Sequence, residues 1–312
     1  MRLRPEFLRC LAAFAALLLT APAAAQASPV TDDTGGDPDI VVTGKAAPPT
    51  RRDVYDQALE LSRAGRQYDE NLARFQVPVC PGVIGFKSKA AEVIIARIRT
   101  NAARGGVRLA KGQCSPNLIV AIVDDGRTLL SNLERTRPQI FSLISASERA
   151  EMLTDESPVR VWNNIVTLRD DGLPIPRSAD GQEMLPSVWG YTNRWFVKFH
   201  RDILAALVVF DREQILDMTY VQIADYATMR GLTHTRAAKG DEPMSTILSL
   251  FAGESRSVPE LTSFDIGYLR SLYWEAATES SVSKLLRIRK QAEKAKRESL
   301  QADPTSVEAT RP

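Results

Sequence analysis

Residues 117–125 read NLIVAIVDD, a continuous apolar run closed by turn residues, and this pattern predicts a buried strand. Ahead of it, KAAEVIIARIRTNAARGG (89–106) repeats its apolar positions at the helical period and stops on glycine, which predicts a helix. VPVCPGVIGF precedes that helix and reads as extended. Strand, helix and strand in this order predict a βαβ-like or α+β opening. An earlier helix is expected from Asp53 to about Phe75. Further on, VRVWNNIVTL (159–168) alternates as a strand does, and DDGLPIP ends it in a turn. NRWFVKFHRDILAALVVFD (193–211) admits one long strand or a strand followed by an apolar helix. The preferred division takes ALVVFD as a strand and REQILDMTYVQIADYATMRGL as the helix after it. LTSFDIGYLRSLY (261–273) predicts a short helix, with Thr262 as N-cap, Asp265 in the first turn and Phe264, Tyr268, Leu269 and Leu272 on its apolar side.

The ends of the chain follow other rules. MRLRPEFLRCLAAFAALLLTAPAAAQASPV sets Arg2, Arg4 and Arg9 before a short apolar run and small residues, the form of a secretory signal peptide. Cleavage after Ala25 or after Ala27 satisfies the small-residue rule, and Ala27 is chosen. The expected domains are a signal peptide at 1–27, a disordered linker at 28–52, a globular domain at 53–278 and a basic helical tail with a disordered end at 279–312. The linker is rich in Pro, Gly, Asp and Thr and poor in core residues. KLLRIRKQAEKAKRESLQ, beyond Ser283, has a thin apolar stripe and is expected to project as a solvated helix, contact with anionic lipid or a partner being the sharper alternative. No stretch after the signal approaches the roughly 20 apolar residues of a membrane-spanning helix. An exported protein is expected, in the periplasm or outside the cell.

Charge and cysteine content narrow the function. Losing Arg2, Arg4, Arg9 and Glu6 with the signal takes the formal charge from +2 to zero, which argues against a nucleic-acid partner. Cys10 leaves with the signal, and the remaining pair, Cys80 and Cys114, is expected to form a disulfide in an oxidising compartment. That bond would tie the first extended segment to the start of the second strand.

One stretch carries candidate chemistry. In ADYATMRGLTH, from Ala224, an acidic residue, a glycine and a histidine stand at Asp225, Gly231 and His234. These offsets resemble the metzincin form of the zincin metalloprotease motif, H-E-x-x-H-x-x-G-x-x-H, in which histidines one helical turn apart hold zinc beside a glutamate. MSTILSLF (244–251) resembles the turn segment of the same enzymes, and LTSFDIGYLRSLY matches the frame of the helix that closes matrixin-type domains. The resemblance covers about 211–273 and implies an α+β, zincin-like mixed sheet with packed helices in a single globular domain. The two helix histidines are replaced by Ala224 and Thr228, neither of which is a usual zinc donor. Zinc is therefore not expected. His234 is the weak metal candidate, with His200, Asp225 and Asp211 the remaining donors to consider. Asp225 and His234 are the candidate catalytic residues of an atypical hydrolase. The preferred reading makes Asp225 a buried polar pin, held by Arg230, Tyr226 or a backbone amide, and His234 a helix C-terminal residue interacting with the last carbonyls and the dipole.

The functional expectation is a non-catalytic exported protein that binds a peptide, a protein or an envelope component on a degenerate metalloprotease-like scaffold. The alternatives are a metal-dependent or atypical peptidase and an accessory factor of outer-membrane transport. The last rests on DPDIVVTG (37–44), which resembles the short box by which outer-membrane receptors engage the TonB protein.

Overall fold

The computed structural model describes residues 47–63, 71–169, 171–179, 183–184, 199–253 and 258–302. The expected signal peptide, the 37–44 box, most of the linker and the last ten residues lie outside the described residues.

The packed unit starts at Pro48. Its first helix, α1 (Arg51–Leu61), begins where the Thr50 side chain accepts from the Asp53 amide and Asp53 returns a bond to the Thr50 amide. This reciprocal cap satisfies two of the orphan donors of a helix start. The helix stops at Leu61, short of the expected end near Phe75. The Ser62 amide still donates to Ala58 and Leu59 of the helix, but Ser62 turns extended and bridges to Thr235, and Arg74 bridges to Asp202, so the described chain beyond α1 pairs with distant segments.

Strand β1 (Pro81–Ile84), helix α2 (Ser88–Arg104) and strand β2 (Leu118–Val123) form the expected parallel βαβ unit, with Pro81 opposite Leu118. Cys80 and Cys114 are disulfide-bonded, their Cα atoms 6.1 Å apart and 34 residues apart in sequence. Closing a loop of that length stabilises the fold by about 4 kcal/mol in the chain-entropy account. Helices α3 (Gly126–Thr136) and α4 (Ala146–Thr154) follow, then β3 (Val159–Arg169) and β4 (Phe199–Asp211). The sheet order is β1-β2-β4-β3, with β1, β2 and β4 parallel and β3 antiparallel to β4. The protein is α+β with a mixed sheet, as the sequence predicts.

Strand β4 corrects the divided reading of 193–211. It runs unbroken through ALVVFD from Phe199, because β3 pairs with it along its whole length. One irregularity beside Asn164 and Ile165 leaves Leu204 unpaired and 42% exposed. The following helix, α5 (Tyr220–Thr233), begins eight residues later than expected, where Thr219 and Gln222 form a reciprocal cap. Helix α6 (Ser263–Tyr273) starts on Thr262 with Asp265 completing the cap, as predicted.

Helix α7 (Ser281–Ala302) corrects the expectation of a projecting, solvated tail. Leu285, Ile288, Ala292 and Ala295 are buried in it. The reason lies in α6: a Cβ on Gly267 would come within 2.7 Å of the Ala292 nitrogen and 2.8 Å of the Ile288 oxygen. Two backbones in such close approach need only a thin apolar stripe between them. Arg270 of α6 pairs with Glu298 of α7 at 2.6 Å along the rim. Among the described residues no helix is long and apolar enough to cross a membrane.

The sheet has a core on each face. The larger buries Leu118, Val208 and Phe210 against Ile94 and Ile98 of α2, Tyr226 and Met229 of α5 and Phe264 and Leu269 of α6. The smaller gathers Ala121, Trp162 and Val209 under Leu130, Phe141 and Met152.

Candidate functional site

Helix α5 carries the residues singled out by the sequence, and from Gln222 to Thr233 every one of them is buried. Ala224, Asp225 and Thr228 are all 0% exposed, so the positions that would face a metal in the resembled frame face the packed interior instead. Gly231 lies inside the helix rather than at a turn, and a Cβ there would run into the Leu118 side chain of β2. The chain leaves the helix at His234, which takes the left-handed conformation (φ 44°, ψ 50°) that favours glycine or asparagine.

The Asp225 carboxylate is fully engaged. Its Oδ1 accepts from Arg97 Nε at 2.7 Å and Asn101 Nδ2 at 2.6 Å, and its Oδ2 accepts from Arg97 Nη2 and the Leu261 amide, both at 2.7 Å. The sequence expectation named a backbone amide correctly in kind, but the guanidinium comes from Arg97 of α2 and not from Arg230. Hydrogen bonding to Asp225 raises the Arg97 pKa above its ordinary value. The pair ties α2, α5 and the start of α6 at one point. Removing either partner from such a buried pair is costly, because it strands the other.

The other donors are scattered. His234 lies nine residues along α5 from Asp225, on the order of 13 Å at the helical rise. His200 and Asp211 sit at opposite ends of β4. His200 Nε2 is 3.5 Å from Asp202, while Asp211 accepts from the Gly126 amide at 2.7 Å and from Arg160 Nη1 at 2.9 Å. Among the described residues no three His, Cys, Asp or Glu side chains converge as a metal site would require. Ala224 and Thr228 contribute no donor, and a metal at Asp225 would have to displace Arg97, so these residues do not fit the zinc that the resemblance implies.

What gathers around His234 instead is positive charge. Burial and the neighbouring Arg201, Arg63, Arg230 and Arg236 hold its pKa well below the usual histidine value, so the imidazole is neutral at pH 7. A neutral ring has no charge to set against the helix dipole. Its Nδ1 is enclosed without a hydrogen-bond partner among the described residues. Arg230, 5% exposed, donates from Nη1 to the Tyr226 hydroxyl at 2.8 Å, and its Nε has no partner. Arg63 reaches Glu151 at 3.1 Å, and Arg236 donates to the Ser62 carbonyl at 3.3 Å. Arg63 and Arg236 arrive here because the residues after α1 pair with those after α5: the Arg63 amide bonds the His234 carbonyl, and the Arg236 amide bonds Leu61. The spacing of Arg230, His234 and Arg236 is visible in the sequence, but Arg63 comes from the other end of the chain. Beside this cluster a cleft of 220 Å³ is lined by Gln57, Glu60, Arg236 and Lys239, and its Glu60 and Lys239 pair with each other.

No family model, curated protein or solved structure matches this chain.

Proposed function

We propose that this is an exported, non-catalytic binding protein on a degenerate zincin-like scaffold. The observation that carries the reading is the saturation of Asp225. The carboxylate in the acidic slot of the motif is spent on Arg97, Asn101 and the Leu261 amide, and its neighbours Ala224 and Thr228 are interior residues. The sequence of elements also supports it. Strand β4, helix α5, a short turn of helix at Ile247–Ser249 and the capped helix α6 follow one another in the order the resemblance implies. A scaffold whose site residues have become packing residues is suited to presenting a surface. The partner expected from the sequence is a peptide, a protein or an envelope component.

The test is elemental analysis of untagged protein recovered from the periplasm. The expected result is far less than one zinc per chain, together with no cleavage of generic peptides. One tightly held zinc per chain would overturn the reading.

A further inference from the structure

We infer that Arg63, Arg230 and Arg236, gathered around His234 at the C-terminal end of α5, bind a phosphate-like oxyanion. The inference rests on the binding reading and names the chemistry of the group bound.

A buried charge is tolerated where it is paired and hydrogen-bonded, and otherwise costs several kcal/mol. Arg230 departs from that rule. Its guanidinium is enclosed, its described partners are the neutral hydroxyl and the ring face of Tyr226, and its Nε has no acceptor among the described residues. The other buried arginines have carboxylate or carbonyl acceptors: Arg160 has Asp211, Arg270 has Glu298, and Arg74 donates to the Leu272 and Glu275 carbonyls.

The cluster around Arg230 lacks matching negative charge among the described residues. Glu151 and Glu148 act on Arg63, and Glu151 is itself 63% exposed on its side chain. Burial lowers the Arg63 pKa, Glu151 raises it, and Arg230 and Arg236 lower it again. Arg201 also acts on His234 and is not counted as a ligand. Three guanidiniums against one direct carboxylate contact leave room for a doubly charged guest. Guanidinium forks match the oxygens of phosphate and of carboxylate, and the surplus charge favours the dianion.

Arg236 is exposed and the Arg63 side chain is 28% exposed, whereas Arg230 is enclosed. The neutral imidazole adds a polar nitrogen that can donate to an anion oxygen when that nitrogen carries the proton. The left-handed backbone at His234 turns the chain between Arg230 and Arg236.

The experiment is calorimetric titration of inorganic phosphate into the full mature protein in phosphate-free and sulfate-free buffer, with acetate and succinate as a carboxylate arm. Saturable one-to-one phosphate binding is expected, about tenfold weaker in each of Arg63→Gln and Arg236→Gln, as loss of one charge-assisted contact implies. Both substitutions lie at partly open positions, so folding is retained and is checked by circular dichroism. Non-saturable heats, or affinity unchanged in both variants, would overturn the inference. Succinate or acetate binding as tightly as phosphate would overturn the assignment to a phosphate-like group. Zinc in the same preparation would count against the proposed function, whereas failed titrations on zinc-free protein would remove this inference alone.

Discussion

Arg97 and Asp225 meet side-on between two helices, Nε to Oδ1 and Nη2 to Oδ2, each at 2.7 Å, with the carboxylate wholly buried and the arginine side chain 23% exposed. Asp225→Ala should therefore cost roughly 3–5 kcal/mol of stability, because it strands Asn101 and the Leu261 amide and leaves Arg97 with the exposed Glu260 alone. Urea denaturation of Asp225→Ala, Arg97→Met and the double variant checks this. A coupling energy below about 0.5 kcal/mol would show that the two residues do not act as a unit. An unchanged midpoint in Asp225→Ala, with loss of some activity, would favour the hydrolase alternative.

Gly231 tests the packing of α5 on the sheet. Helix propensity alone predicts that Gly→Ala stabilises a helix interior by up to about 1 kcal/mol. Here the added methyl runs into Leu118, itself 0% exposed, and overpacking of that kind costs roughly 1–3 kcal/mol. Gly231→Ala should lower the melting temperature, and a rise would contradict the close approach of α5 to β2.

Helix α7 is part of the core in this account. Ile288, 1% exposed, should cost roughly 2–5 kcal/mol when cut to alanine. A solvated tail helix would lose no more than about 0.5 kcal/mol for the same change. Chemical denaturation of the single variant separates the two.

His234 should make the protein acid-sensitive. Its folded pKa is depressed by burial and by Arg201, Arg63, Arg230 and Arg236, whereas the unfolded chain titrates near the ordinary value of about 6.5. Between those values the unfolded state takes a proton that the native state refuses. Stability is then full above about pH 6.5 and falls as the pH drops, by up to about 1.4 kcal/mol per unit. His234→Asn keeps a side chain that tolerates the left-handed backbone and removes the proton site. Comparing melting temperatures of the two proteins from pH 7.5 to 5 should show a steeper fall in the wild type. Parallel curves would mean that His234 does not titrate as described.

What the sequence by itself determined is local. The cap at Thr262 and Asp265, the apolar run of β2 and the period of α2 lie within a few residues of the bonds they specify, so the chain announces them. The pairing of Cys80 with Cys114 was legible because, with Cys10 assigned to the expected signal peptide, two cysteines have one way to pair. The burial of Asp225 was legible too, since it falls among Val221, Met229 and Leu232, but its partner was not, because Arg97 lies on a helix more than a hundred residues earlier. Only the tertiary structure decided the length of β4, which depends on pairing with β3, and the place of α7, which depends on the missing Cβ of Gly267. The arginine cluster belongs to the same class. Arg63 meets Arg230 and Arg236 because Ser62 pairs with Thr235, and the electrostatics of His234 follow from that meeting. A short-range pattern can fix a helix or a strand, whereas a charge environment is set by groups that only the folded backbone brings together.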